Sequence, residues 1–241
     1  MSDHHNVALA SVASGAFFLY QGFVALKERN LIRNIPTSKI RSAAMGLVEL
    51  KGTACETQEP LTAPVSNKEC VYYSYKIQKY RSSKHGGHWR TLKHGSEGNY
   101  FWLRDDTGTV LVDTSGAKIK LSVSATKHVR NAKPELLEFI KSKGVNYQGL
   151  LGTKNMRVVE TIIYPGQPLY VMGTAKDNPH VDDATVTEGF RDLMIGQGEH
   201  YKYFLITNKK EKDLLRTREL KILGLLAGPF LIVGGLWMLT W

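Results

Sequence analysis

Phe101 to Gly116 reads FWLRDDTGTVLVDTSG. Two apolar runs, Phe101-Trp102-Leu103 and Val110-Leu111-Val112, flank Asp106-Thr107-Gly108, and Asp113-Thr114-Ser115-Gly116 closes the stretch. Asp-Thr-Gly is also how the aspartic proteases spell their catalytic carboxylates. A dyad of that kind needs two carboxylates ~3 Å apart in a shielded cleft, with pKa values pushed apart. Here both aspartates flank one short arm, and Arg104 and Asp105 crowd the first of them. Turn chemistry accounts for the spelling: Asp and Gly between two strand-forming runs make a hairpin. The stretch therefore predicts strands at 100–103 and 109–112, and a mainly β chain.

The neighbouring segments extend that pattern. Residues 42–54 (SAAMGLVELKGTA) predict a strand, and 56–68 a polar loop containing Pro60 and Pro64. In VYYSYKIQKY (71–80), Val71, Tyr73, Tyr75 and Ile77 alternate with polar positions, the clearest period of two in the chain. The segment 81–99 is rich in Gly, Ser, His and basic residues and predicts a long loop. Residues 134–143 (PELLEFIKSK) predict a short helix, with Pro134 in the first turn and Gly144 to end it. RVVETIIYPGQPLYVMGTA (157–175) gives two strands around the turn pair Pro165-Gly166, and 201–207 another strand. Asn208 to Leu220 predicts a polar helix, with Asn208 and Glu211 spaced like a capping box. The order of elements predicts a mainly β (α+β) fold, an OB-like β-barrel domain with a short helix.

Both ends of the 241-residue chain are apolar. Val7–Leu26 and Ile222–Trp241 each run 20 residues without a charge. A helix of that length spans ~30 Å, the thickness of the hydrocarbon core of a bilayer. Residues 1–6 (MSDHHN) lack the basic region of a secretory signal, so the first segment reads as a membrane span. The expected organisation is a tail and transmembrane helix over 1–26, a β-rich domain with juxtamembrane connectors over 27–221, and a transmembrane helix over 222–241. Lys and Arg crowd the inner flanks of both spans and are missing from residues 1–6. The positive-inside rule then puts the domain in the cytoplasm and both termini outside. The net charge of +10 belongs partly to these flanks, which suit anionic headgroups. No basic recognition helix or RNP-type motif accompanies the charge, so nucleic acid is not expected as a partner.

Cys55 and Cys70 are the two cysteines, and their spacing fits no zinc pattern. His85 and His88 have HxxH spacing, with His94 nearby, but Gly86-Gly87 and the lack of a local carboxylate or thiol leave them a solvated loop. His180 with Asp182 and Asp183 forms a second, weaker cluster, also read as loop. No phosphate loop, nucleophile elbow or Cys–His pair is present, so no catalytic residue, metal or cofactor is assigned. The candidate headgroup or partner contacts are Lys27, Arg29, Arg33, Lys84, Arg90, Lys93, Lys209, Lys210, Lys212, Arg216 and Arg218. Gly224 and Gly228 fit GxxxG, and Ser11 and Gly15 fit small-xxx-small. These four permit close helix packing, between the two spans or between copies in a homo-oligomer.

Five blocks carry a family resemblance together: IPTSKIRSAAMGLVELKGTA (35–54), PLTAPVSNKECVYYSYKIQKY (60–80), FWLRDDTGTVLVDTSGAKI (101–119), ETIIYPGQPLYVMGTA (160–175) and YKYFLITNKKEKDLL (201–215). In this order they resemble the GIDE, or beside-a-membrane, domain found between the two spans of MULAN-type mitochondrial E3 ubiquitin ligases. The resemblance covers roughly residues 27–240. It implies a role beside a bilayer and, through the family label, ubiquitin transfer. MULAN-type ligases perform that transfer with a RING finger after the second span, and no Cys/His array of that kind occurs in this sequence. The mitochondrial relatives also hold the domain in the intermembrane space, which implies an exterior side, whereas the Lys/Arg distribution implies the cytoplasm. The resulting expectation is a membrane-anchored binding or scaffold module that docks a protein partner or senses the membrane surface. E3 transferase activity and pure lipid binding are the alternatives.

Overall fold

The computed structural model describes residues 2–55, 60–84, 86–98, 100–149, 152–179, 193–199, 201–209 and 211–239. In chain order its main elements are α1 (Ser2–Asn34), β1 (Gly46–Ala54), β2 (Tyr72–Ser83), β3 (Gly86–Glu97), β4 (Tyr100–Arg104), β5 (Thr109–Asp113), β6 (Lys118–Lys120), β7 (Ala125–His128), α2 (Pro134–Ser142), β8 (Met156–Ile163), β9 (Pro168–Asp177), β10 (Leu193–Gly196), β11 (Leu205–Thr207), α3 (Glu211–Ile222) and α4 (Gly224–Leu239). Residues Thr37–Lys209 form one compact unit, and the helices at the two ends form another.

The hairpin β4–β5 anchors a closed five-stranded barrel. β4 pairs with β1, β1 with β9, β9 with β10, and β10 runs parallel to β5, which closes the ring. Numbered along the chain, the barrel strands follow one another around the ring as first, second, third, fifth and fourth. This order is compatible with the OB-like barrel expected from the sequence. Alternate residues point inward: Val48 and Leu50, Phe101 and Leu103, Val110 and Val112, Leu169 and Val171, and Ile195 share one core. The period-two alternation of β4 and β5 thus puts apolar side chains on the inside of a surface that has no edge to expose.

The hairpin turn has its own device. Asp105, rather than Asp106, holds it: Asp105 Oδ1 accepts from the Thr107 N–H at 2.7 Å, the Thr107 hydroxyl at 2.7 Å and the Gly108 N–H at 3.0 Å. Its Oδ2 accepts from the Ile40 N–H at 2.9 Å, clasping the short 3-10 turn Ile40–Ser42 against the barrel. Burial alone would raise the Asp105 pKa, but these hydrogen bonds together hold it below the usual carboxylate value. Asp106 pairs with exposed Lys39 at 2.6 Å. Asp113 lies at the far end of β5, where it accepts from the Ser115 N–H. The two aspartates of the Asp-Thr motifs sit at opposite ends of one strand and form no dyad.

A second sheet, in the order β7-β8-β2-β3, packs one face on α2. Tyr73, Tyr75 and Ile77 of β2 and Met156, Val158 and Ile162 of β8 meet Leu136 and Ile140 of the helix. Tyr75 packs edge-on against Phe139, with ring centroids 4.9 Å apart. Buried Glu160 of β8 accepts from the Val65 N–H at 2.6 Å and the Ser66 N–H at 3.2 Å, fixing the loop before β2. The expected turn at Pro165-Gly166 is present, with Gly166 at φ 84°. It joins two strands that do not pair: β8 belongs to this sheet and β9 to the barrel, so the turn is a corner between layers.

Several expectations are corrected. The expected loop is instead paired strand: residues 81–83 complete β2, and 86–97 form β3. Val71 packs into the barrel core, while Tyr73, Tyr75 and Ile77 face the second. The first barrel strand starts at Gly46, since Ile40–Ser42 is a 3-10 turn, and the last strand covers only Leu205–Thr207. The polar helix expected from Asn208 starts at Glu211, and Asn208 Oδ1 accepts from the Ser122 N–H at 3.1 Å. Helix α2 contributes to the second core and stands outside the barrel's core cluster.

In the helical unit, α1 continues eight residues beyond Leu26 and ends before Pro36, whose ring disfavours helix in the preceding residue. Both ends of the chain provide a helix long and apolar enough to cross a membrane, His5–Asn34 and Arg218–Leu239. Pro229 lies inside α4 and cannot donate to the preceding turn, and the α3–α4 boundary falls at Leu223, closer to the start of the helix.

Candidate functional site

Two sets of sequence-predicted residues fall in different places. The helix-packing set lies at one antiparallel seam. A Cβ on Gly15 would come within 2.7 Å of the Gly228 carbonyl oxygen and of Ile232, and a Cβ on Gly224 within 2.9 Å of the Phe18 carbonyl oxygen. Ser11 lies beside Gly235, a contact the motif reading missed. Small residues thus let α1 and α4 approach backbone to backbone. At the far end of the seam Arg218 is buried, with Nε 3.1 Å from the Glu28 carboxylate and Nη1 donating to the Leu214 carbonyl. Arg218 is therefore committed to the helix pair and not presented as a headgroup contact. Lys27, Arg33, Lys209 and Arg216 are exposed, and Arg29 is half-buried. Lys210, the Lys212 side chain, His85 and the His180–Asp183 cluster lie outside the described residues.

Lys84, Arg90 and Lys93 lie on the ribbon β2–β3. From Cys70 to Ser96 the sequence has no Asp or Glu, while Lys76, Lys79, Arg81, Lys84, Arg90 and Lys93 are spread along it. Ten of the twelve β3 residues are exposed; only Trp89 and Gly95 are partly covered. β3 is also the last strand of its sheet, and among the described residues nothing pairs with its outer side. The strand exists because β2 supplies its backbone partners and not because it buries a face, which explains why no apolar alternation announces it.

The sheet face opposite α2 carries a row of polar contacts. The Arg157 guanidinium stacks on the Trp89 ring at 4.2 Å, and its Nε donates to Gln78 Oε1 at 2.9 Å. Gln78 Nε2 in turn donates to the Thr91 hydroxyl at 3.2 Å. Trp89 also meets Tyr80 and His128 edge-on, at 5.3 and 5.8 Å between centroids. Gly87 leaves room for Tyr80, whose hydroxyl would lie 1.9 Å from an added Cβ. These contacts link all four strands into a cationic, partly aromatic face. Sequence reasoning missed Trp89, Arg157, Gln78, Tyr80 and His128. The signal available in the sequence was the acid-free run 70–96.

What the ribbon offers chemically is positive charge beside aromatic rings, with no acid between Cys70 and Ser96. Among the described residues no group of three His, Cys, Asp or Glu comes together. His88 and His94 are exposed on β3, opposite Arg81 and Lys76. Buried Cys70 is pushed up to about 11 by desolvation and by the charge of Glu160, so at neutral pH it is an inert thiol. Burial and the hydrogen bond to Glu97 raise Tyr73 well above the ordinary tyrosine value.

The family model described as "GIDE: E3 Ubiquitin ligase" matches residues 72–239. The chain belongs to the GIDE family. No curated protein and no solved structure matches it. In this GIDE chain the matched residues open with β2, take in the whole basic ribbon and most of the barrel, and extend through the second apolar helix.

Proposed function

We propose that this GIDE chain is a membrane-anchored docking module, in which the two apolar helices hold the β unit to a bilayer and the β2–β3 ribbon binds a protein partner. The observation that carries the proposal is the ribbon itself: a long, exposed edge with no acid before Glu97, on a well-packed unit that leaves one sheet face open. Anchoring is supported by the surface of the helices, where Phe17, Phe23, Leu226, Phe230 and Trp237 are all largely exposed. Contiguous exposed apolar side chains of this kind mark a membrane or interaction face. With the basic flanks on the inner side, the β unit faces the cytoplasm.

The test is in-cell crosslinking with mass spectrometry on the tagged full-length protein. Crosslinks from Lys84 and Lys93 to one protein support docking; persistence of the Lys84 crosslink in the Arg90→Glu/Lys93→Glu variant would count against the ribbon as the site. Orientation is read by an impermeant thiol reagent, with half-buried Cys55 as the reporter because Cys70 is fully buried. Labelling of Cys55 in intact cells would place the unit on the exterior instead.

The family description favours one further reading, a role in ubiquitin transfer. A scaffold that holds a partner for a separate ligase, and a chain that promotes transfer itself, differ in a reconstituted assay. E2-dependent transfer by the purified chain alone would favour the latter.

A further inference from the structure

We propose that the ribbon takes its partner by strand addition: an extended acidic segment of a protein pairs with the free edge of β3, Gly86–Glu97. This deepens the docking role proposed above and rests on it. An edge strand presents unpaired backbone donors and acceptors along its length, so an incoming strand gains affinity from main-chain pairing and specificity from alternate side chains. At ~3.4 Å per residue, twelve residues offer a track of ~40 Å.

The register fixes what the incoming strand must carry. Arg90 lies opposite Lys79 and Lys93 opposite Ile77, so both cations point to one face of the sheet. Trp89 lies opposite Tyr80, Thr91 opposite Gln78 and His94 opposite Lys76, on the other face. The shift in register between Ile77 and Gln78 makes Leu92 the extra residue that keeps Arg90 and Lys93 together. An added strand therefore meets Arg90 and Lys93 with neighbouring side chains on one face and, on the other face, the rim of the platform where Arg157 stacks on Trp89. The matching segment has Asp or Glu at alternating positions and small or apolar residues between them. The same charges exclude a second copy of this chain, since like charges across an added strand repel.

The test uses the full-length protein in nanodiscs of neutral lipid. The probe is a fluorescent ten-residue peptide alternating Glu with Val. Three companions accompany it: the same peptide with Lys for Glu, one with every second backbone nitrogen methylated, and vesicles containing phosphatidylserine. The acidic peptide is expected to bind, the Lys peptide not to, and N-methylation to weaken binding at least tenfold, because a methylated nitrogen cannot pair. Arg90→Glu/Lys93→Glu is expected to cost at least tenfold and Arg90→Gln/Lys93→Gln less, with circular dichroism unchanged. Amide exchange over 86–97 should slow when the acidic peptide is bound. Equal binding of the N-methylated peptide, or unchanged exchange over 86–97, would overturn strand addition. Vesicles that protect 86–97 where the peptide does not would assign the edge to headgroups and overturn it too. If the peptide fails while Lys84 and Lys93 still crosslink to a protein, docking stands and strand addition falls; if those crosslinks are also missing, both fall.

Discussion

Two antiparallel hairpins of the β unit, β4–β5 and β2–β3, are built by the same backbone rules for different ends. In β4–β5, Phe101, Leu103, Val110 and Val112 are sealed into the barrel, and a carboxylate with four donors ties the turn. In β2–β3, one strand buries Tyr73, Tyr75 and Ile77 while its partner buries almost nothing. A hairpin that contributes to the core on both arms is a structural element. One that contributes on a single arm leaves the other free to meet a second molecule, and its residues answer to recognition more than to packing.

That contrast breaks most readily in the barrel. Leu103→Ala removes a fully buried side chain between two strands that close the ring, and is expected to cost about 3 kcal/mol. Denaturant unfolding followed by tryptophan fluorescence measures it; a loss under ~0.5 kcal/mol would mean that the hairpin is not part of the core. On the sheet that supports the ribbon, Glu160→Ala leaves the Val65 and Ser66 N–H groups without their acceptor and is expected to cost about 2 kcal/mol. Faster amide exchange over residues 60–70 would accompany it.

The turn separates two adjacent aspartates. Asp105→Ala is expected to cost about 1.5 kcal/mol and Asp106→Ala less than ~0.5, because the first accepts from Ile40, Thr107 and Gly108 and the second holds one exposed lysine. The sign with pH follows from the lowered pKa of Asp105. Its contribution is fully present above the unfolded value near 3.8 and is lost as pH falls through the still lower folded value. The wild-type–Asp105→Ala difference, measured against pH, should therefore shrink only in strong acid; a difference already gone at pH 5 would reject the assignment.

The smallest effects belong to the exposed strand. Arg90→Gln and Lys93→Gln should each change stability by less than ~0.5 kcal/mol, and Trp89→Ala by about 1, the value of its contacts with Arg157, Tyr80 and His128. A large loss on neutralising the cations would make β3 structural and remove the contrast between the two hairpins.

Chemical labelling sharpens the same picture. With Cys70 buried and its thiol raised to about 11, alkylation of the native protein near neutral pH should be confined to Cys55 and vanish in Cys55→Ser. Cys70 should react only on unfolding.

The legible parts of the sequence were those where a local pattern and a buried face coincide. Phe101-Trp102-Leu103, Asp-Thr-Gly and Val110-Leu111-Val112 announced a hairpin because alternation and turn chemistry agree there. The two apolar helices were legible from length alone, and Pro134 with Gly144 bounded α2 because their backbone preferences are intrinsic. A barrel was expected from the order of elements, but the pairings that close it were not legible, since they depend on β1 meeting both β4 and β9 and on β5 meeting β10 across about 80 residues of chain. Nor was β3. Residues 86–97 carry no apolar period, and only pairing with β2 makes them a strand. The platform needed the fold most of all, for it joins Gln78, Trp89, His128 and Arg157 from four strands. The amino-acid order by itself determined which segments are apolar, which alternate and where charge of one sign accumulates, because those are properties of neighbours along the chain. Which of those charges share a face, and which edge stays open to a partner, was decided only by tertiary pairing, because hydrogen bonds between distant strands set the register and register sets the face.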